Sequence, residues 1–335
     1  MCMLEAQNKI DFVVTWVDGS DPVWLEEKEK HIRNINTILN GNSRYRDWDI
    51  FKFWFRAVEK YAPWVNKIFL ITEGHLPTWI NLNHPKLVHI KHKDYIDEKY
   101  LPTFNSNVIE MNIHNIEGLS EKFVLFNDDT FINSPVEQKD FFDGNYPKDV
   151  GVFSPIVPNF GGIASIVLNN LEIINKYFSF RDVVKNNFFK FYNLKYNKHL
   201  LKNICVSPWK TILGFYDVHI PISYSKSYFR KISELESSIF SETYSHKFRE
   251  KKDINHWLIR YWQLCDGYFS PRNIKFGSYY NILDQLDLSL NDITNSISKI
   301  VCLNDGESVD NFLYAKSMLG ITFEKKFPQK SKFEL

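Results

Sequence analysis

Residues Phe123–Phe131, FVLFNDDTF, set an apolar run directly before Asn127, Asp128 and Asp129, after which the chain turns apolar again. A run of this length, bounded by polar residues, reads as a buried strand. Open α/β sheets bind their ligands beyond the carboxyl ends of such strands. Adjacent carboxylates repel each other unless a cation neutralises them, and an oxygen-rich site shared with substrate phosphates suits Mg²⁺ or Mn²⁺. The same three residues are also ordinary turn formers, because Asn and Asp side chains bond their own backbone.

The amino end repeats the design. IDFVVTWVDGSDPVW, Ile10 to Trp24, is an apolar strand followed by Asp18, Gly19, Ser20, Asp21 and Pro22. Gly19 would allow close approach of backbone to a ligand, with Asp18, Ser20 and Asp21 supplying oxygens around a nucleotide-diphosphate. The bland alternative is a strand-to-helix connection in which Ser20 or Asp21 caps a helix and Pro22 occupies its first turn. The two are compatible, since helix amino ends bind phosphate.

Between these strands, Phe51, Trp54, Phe55 and Val58 recur at helical spacing, Pro63 closes the helix, and KIFLIT follows as a strand ending at Glu73, Gly74 and His75. The stretch LPTFNSNVIEMNIHNIEGLSEKFVLFNDD predicts a helix carrying Glu110 and His114 four residues apart on one face. Such a pair would bind metal or exchange a proton, or be no more than a solvated pair or a cap contact.

IDFVVTWVDGSDPVW, YRDWDIFKFWFRAVEKYAPWVNKIFLITEGHLPTWINL, LPTFNSNVIEMNIHNIEGLSEKFVLFNDD and VCLNDGESVD, with FPQKSKFEL at the end, closely resemble the blocks of the Stealth family, in the family's order. A further block, YDVHIPISYSKSYFRKISELESSIFSETYSHKFREKKDINHWLIRYWQL, holds His219, Pro221, Arg249, Asp253 and Ile254. Stealth proteins are sugar-1-phosphate transferases: bacterial capsule and exopolysaccharide phosphotransferases, and the animal enzyme that puts N-acetylglucosamine-1-phosphate on lysosomal glycoproteins. The resemblance implies that an acceptor hydroxyl attacks the β-phosphorus of a nucleotide-diphosphate sugar. A nucleoside monophosphate then departs, and a phosphodiester is left in the product.

That chemistry needs a divalent cation and Arg for the phosphoryl charge, and a base near neutrality for the hydroxyl proton. The resemblance implies His219, Arg249 and Asp305 as catalytic residues, with His219 as base because an unperturbed imidazole titrates near the working pH. Asp128, Asp129 and Asp305 are the implied metal ligands. Asp18, Gly19, Ser20, Asp21, Arg46, Asp47, Glu110, His114, Asn127 and Asn304 are the implied substrate-binding set. Read without the family, His219 before a proline suits strand-end packing, Arg249 in KFREKKD suits a solvated face, and Asn304 and Asp305 suit a turn.

The fold expected is α/β with a mixed, mainly parallel central sheet, like a nucleotide-sugar transferase, and a helical insert. Residues 1–150 would be the nucleotide-sugar and metal-binding half, 151–218 an acceptor-facing insert opening with GVFSPIVPNFGGIAS, and 219–335 the rest of the same site. Within the insert, NNFFKFYNLKYNKHLLKN mixes aromatics with Lys, which suits either a packed helical insert with snorkelling lysines or contact with a membrane surface or lipid-linked glycan. The acceptor expected is an oligosaccharide or a lipid-linked glycan. A formal net charge of +1 gives no warrant for nucleic-acid binding. With no apolar run long enough to span a bilayer and no signal core in MCMLEAQNK, a cytoplasmic protein is expected, one that admits peripheral contact with membrane-bound capsule machinery at the inner face. Cys2, Cys205, Cys265 and Cys302 form no Cys-x-x-Cys pair, so reduced thiols are expected. A metal-dependent glycosyltransferase acting at the anomeric carbon, and a noncatalytic glycan-binding protein using aromatic platforms, are the alternatives.

Overall fold

The computed structural model describes residues 9–32, 39–41, 45–158, 162–217, 219–305 and 312–335. Residues 1–8 with Cys2, residues 159–161 of the GVFSPIVPNFGGIAS stretch and residues 306–310 of the VCLNDGESVD block lie outside them. The strands in chain order are β1 (Ile10–Thr15), β2 (Ile68–Thr72), β3 (Leu87–Lys91), β4 (Lys122–Phe126), β5 (Thr130–Ile132) and β6 (Phe142–Asp143). They continue as β7 (Tyr146–Asp149), β8 (Ile222–Ser225), β9 (Ser270–Pro271), β10 (Gly277–Asn281) and β11 (Ile300–Asn304).

The central sheet has the order β3-β2-β1-β4-β8, with β8 alone antiparallel to its neighbour. It is the mixed, mainly parallel sheet the sequence predicts. Its inner strands are continuous apolar runs because both faces are covered. Phe12 and Val14 of β1 join Ile68, Leu70, Val124 and Phe126 in one core, while Val13 joins Phe69, Ile71, Phe123 and Leu125 in the other. From β1 the chain passes to β2 and β3 on one side, then crosses back to β4 on the other. Such a reversal of direction opens a crevice beyond the carboxyl ends of β1 and β4.

Helix Phe51–Tyr61 forms as its spacing predicts and ends at Ala62, before Pro63. It is buried on more than the expected face, because the carboxyl-terminal segment packs on its outer side: Phe53 stacks on Phe323 and Phe55 meets Phe333. Within this contact Arg56 is buried. Its Nε and Nη2 each donate to Glu334 at 2.8 Å, and Nη1 donates to the Phe327 carbonyl at 2.6 Å. Without Glu334 the guanidinium keeps only its Nη1 contacts, to the Phe327 carbonyl and at 3.2 Å to the half-exposed Glu324, and its buried Nε and Nη2 lose their partner. Glu334→Ala is therefore expected to lower the unfolding free energy by about 3–5 kcal/mol, measured by urea denaturation; a loss below about 1 kcal/mol would make the pair ornamental.

Directly after the Asn-Asp-Asp turn the chain leaves the central sheet as β5, which pairs antiparallel with β11, itself parallel to β10. A small third sheet has the order β6-β7-β9. Residues 151–217 contribute helices Ala164–Tyr177, Phe180–Asn186, Phe188–Phe191 and Leu200–Cys205. No helix among the described residues is long and apolar enough to cross a membrane.

Candidate active site

A cleft of about 1690 Å³ opens at the crevice between β1 and β4, and segments far apart in the chain supply its walls. The turn after β4 forms its floor. The Asn127 carbonyl accepts from the Thr130 amide at 3.1 Å and its hydroxyl at 2.8 Å, which closes the turn that the alternative reading of these residues required. Asp128 and Asp129 are nonetheless aimed into the cleft. Water reaches Asp128 through the opening, but the surrounding protein, with Asp129 and Asp47 close by, pushes its carboxyl up to about 7. The Asp129 amide carbonyl accepts from Leu303 on β11 at 2.8 Å, Oδ2 accepts from Cys302 Sγ at 3.5 Å, and Oδ1 is buried without a partner. Asp129, His219 and Cys302 each present one ligand atom, all within 4.8 Å of one another. Burial and the neighbouring Asp129 push the Cys302 thiol well up, so it stays a protonated donor, a poor ligand for a hard cation.

His219 comes to this floor from the segment before β8. Its backbone is left-handed, φ 53°, and its amide donates to Asp217 Oδ1 at 2.8 Å. A non-glycine residue is rarely held so, and such positions concentrate at functional sites. Nε2 lies 3.5 Å from Asn127 Nδ2 and 3.9 Å from Asp129 Oδ2. The packing reading of a histidine before proline is thus displaced by a side chain that lines the cleft.

Arg249 lines the cleft too, so it does not lie on a solvated face. Nη2 donates to Ser106 Oγ at 2.5 Å, and its amide and carbonyl bond the Asn40 side chain. The loop that carries it is fastened by the fully buried Asp253, which accepts from Asn105 at 2.8 Å, Asn107 at 3.0 Å, the Glu250 amide at 3.1 Å and His246 at 2.7 Å. Asp253 belongs to the charge run, yet it is the anchor that turns Arg249 inward.

Glu110 sits opposite. Burial pushes its carboxyl up to about 7 against the pull of Arg249 and His219. His256 Nε2 stands 3.5 Å from Glu110 Oε2, and Nδ1 lies 2.7 Å from the Tyr224 hydroxyl, which also donates to the His256 carbonyl. That hydroxyl has one proton, already given, so it accepts from Nδ1 and leaves Nε2 as the acceptor facing Glu110. Burial, with the His219 and Arg260 charges, pushes His256 down to about 3, which keeps it neutral.

His114 is not part of this arrangement. The predicted helix stops at Met111, a short 3₁₀ turn carries His114 away, and its Nδ1 faces the Met111 carbonyl while the ring stacks on Phe229. The amino loop is likewise corrected towards its bland alternative. Asp18 Oδ1 accepts from the Ser20 amide and hydroxyl, Asp21 caps helix Pro22–His31 through the Trp24 amide, and Pro22 fills the first turn. Gly19 is needed for another reason than a ligand: a Cβ there would run into the Tyr45 backbone. Of this region Val17, Tyr45, Arg46 and Asp47 line the cleft, and burial raises the Asp47 carboxyl.

Asp305, also expected as a metal ligand, lines the cleft with an ion-pair partner of its own. It follows β11 and pairs with Arg46 Nε at 3.2 Å, while burial raises its carboxyl against that pull. Asn304 lines the same wall. Two residues of the site that the sequence did not single out, Cys302 and His256, stand within the strings VCLNDG and DINHW, but only packing shows what they face.

Residues 8–34 and 44–150 match Stealth protein CR1, conserved region 1, and Stealth protein CR2, conserved region 2. Over 333 residues the chain is 57% identical to a capsular polysaccharide phosphotransferase WcwK of Streptococcus pneumoniae, covering 99% of both chains. It is 42% identical to the exopolysaccharide phosphotransferase cps2G of Lactiplantibacillus plantarum, over 97% of this chain and 96% of that one. It is 39% identical to the receptor polysaccharide phosphotransferase WefC of Streptococcus oralis, over 98% and 100%. Among solved structures it is similar to the galactosyltransferase LgtC in complex with donor and acceptor sugar analogs, with 10% identity, a TM-score of 0.41 and coverage of 96% and 98%.

Proposed function

The chain belongs to the Stealth family, and from that membership we propose that it moves a sugar-1-phosphate from a nucleotide-diphosphate sugar to a hydroxyl of an oligosaccharide or lipid-linked glycan in capsule or exopolysaccharide synthesis. The observation that carries this reading is the convergence of paired carboxylates, an imidazole, an arginine and a proton-bearing Glu110 in one cleft. That set matches a reaction whose charge develops on phosphoryl oxygens.

The acceptor oxygen bonds to the β-phosphorus as the bond to the nucleoside monophosphate breaks. The monophosphate leaves with the electron pair, and the acceptor proton passes to His219 Nε2. Arg249 contacts phosphoryl oxygens through its planar fork. Glu110, near its titration point at neutral pH, can give a proton to an oxygen that Arg249 also holds. Arg46, already turned to Asp305, and Asp47 line the outer wall for the nucleotide sugar.

The carboxylate pair fits a divalent cation. Asp129 Oδ1 is buried and unpartnered, and among the described residues no lysine or arginine pairs with Asp128 or Asp129. Asp128 and Asp129 would hold Mg²⁺ or Mn²⁺ with the donor diphosphate, and the bound ion would neutralise charge on the departing monophosphate.

A panel of nucleotide-diphosphate sugars offered with an oligosaccharide acceptor tests the reading. One nucleoside monophosphate is expected per phosphorus atom gained by the glycan. Release of a nucleoside diphosphate with a phosphorus-free product would instead establish transfer at the anomeric carbon, and no release from any donor would leave a glycan-binding protein.

A further inference from the structure

Residues 183–216 have a charge pattern unlike the rest of the chain. They carry six lysines, at 185, 190, 195, 198, 202 and 210, and no Asp or Glu, in a protein whose 41 basic and 40 acidic residues nearly balance over the whole chain. Lys185, Lys195, Lys198 and Lys210 are exposed. Lys190 and Lys195 reach the carbonyls of Gly267 and Pro271, and Lys202 lies over the Tyr216 ring. These partners are neutral, and of the named lysines Lys195 has the carboxylate of Asp143 within electrostatic reach.

The same segment shows large apolar side chains to solvent. Phe189 is 83% exposed, Leu194 85% and Leu201 63%, with Phe188, Ile204 and Trp209 about half exposed. Their outward direction is built in. Asn203, fully buried, donates to the Phe191 carbonyl at 2.7 Å and the Gly151 carbonyl at 2.9 Å, and the Tyr192 hydroxyl donates to the Asn203 carbonyl at 3.2 Å. These bonds clamp helices Phe188–Phe191 and Leu200–Cys205 together with Phe191, Asn203 and Val206 inward, which leaves Phe188, Leu201 and Ile204 outward. Single exposed hydrophobics are normal, but a group of them fringed by lysines, in a stretch of chain that carries no acid of its own, marks a docking surface.

We infer that this surface docks on a bilayer carrying anionic phospholipid. Protruding Phe and Leu tips enter the boundary between headgroups and acyl chains, and the lysines meet the negative headgroups; such pairing of buried apolar area with basic charge holds peripheral proteins to membranes. A lipid surface yields around protruding tips, which a rigid protein partner would have to match with pockets. Asn197, Lys198 and His199 of the same segment line the cleft, so docking sets one cleft wall against the bilayer. That last step alone rests on the phosphotransferase reading, and there it suits a lipid-linked acceptor.

The test sediments the full chain, without donor, with vesicles of phosphatidylcholine alone or mixed with phosphatidylglycerol. Binding to the anionic vesicles alone is expected, weakening as salt rises. Phe189→Ser with Leu194→Ser should lower partitioning by about tenfold or more, and Lys185→Glu, Lys195→Glu and Lys210→Glu together should remove the preference for anionic lipid. Both variants should melt as the parent does and release nucleoside monophosphate with a soluble acceptor at the parent rate. Absence of binding, equal binding to neutral vesicles, or variants that bind unchanged would overturn the inference. So would a concentration-dependent self-association lost in the serine variant, which would assign the face to a second copy of the chain. Because vesicle binding is read without donor, its failure leaves the transfer reaction untouched, and a failure of transfer leaves vesicle binding untouched.

Discussion

Asp129→Asn is expected to lower the transfer rate by at least about a hundredfold, the scale of removing one stabiliser of transition-state charge. The substitution keeps shape and leaves the main-chain bond from Leu303 in place. What it removes is the charge on a partly buried carboxylate whose Oδ1 is buried without a partner. The fold should survive and even gain, because Asp128 is held up near 7 partly by Asp129. With that repulsion gone, Asp128 ionises at lower pH, and the adjacent carboxylate no longer opposes its charge at neutrality. The expected signature is therefore a melting temperature equal to or above the parent's with activity nearly abolished, and the same for Asp128→Asn. Undiminished activity in either variant, or in excess chelator, would remove the metal from the mechanism.

The second large effect belongs to His219. The informative substitution is His219→Asn, because the residue is left-handed and Asn tolerates that backbone better than Ala does. Transfer to the acceptor should fall by about a hundred- to ten-thousandfold, the range for losing a general base, while calorimetry shows donor affinity near the parent value. Arg249→Lys should fail differently, weakening donor binding as well, because an ammonium cannot reproduce a two-pronged phosphoryl contact. If His219→Asn keeps the parent rate, Glu110 becomes the base. The pH profile then distinguishes them: Glu110 is protonated below about 7, so a Glu110 base would make the rate fall below that pH, and Glu110→Gln would abolish both the rate and the limb.

The parts legible in the sequence were those set by local pattern. Runs buried on both faces read as strands, and the helix over Phe51, Trp54, Phe55 and Val58 followed from its spacing and from Pro63. The arrival of His219, Arg249, Glu110 and the Asn-Asp-Asp turn at one cleft came with the resemblance; spacing alone left each of them open. What escaped depends on which distant segment lands where. Asp305 reads as a free carboxylate until Arg46 is seen against it. Gly19 reads as a ligand-approach glycine until Tyr45 is found in its way. His114 failed for a local cause: Asn112, whose side chain bonds back to the Val108 carbonyl, sits where the helix ends, and Asn residues favour such local bonds over helix continuation.

The bond from Leu303 to the Asp129 carbonyl joins residues about half the chain length apart. During synthesis the Asn-Asp-Asp turn leaves the ribosome long before the strand that pins it. At ordinary elongation rates the interval is on the order of ten to thirty seconds. Through that interval the floor of the cleft is without its clamp, and His219 and Arg249 arrive only partway through it. A nascent chain can therefore complete its parallel strands early and still be unable to hydrolyse or misdirect an activated sugar. Competence waits for β11 to close on β5, so a chain cut before Ile300 should show no turnover.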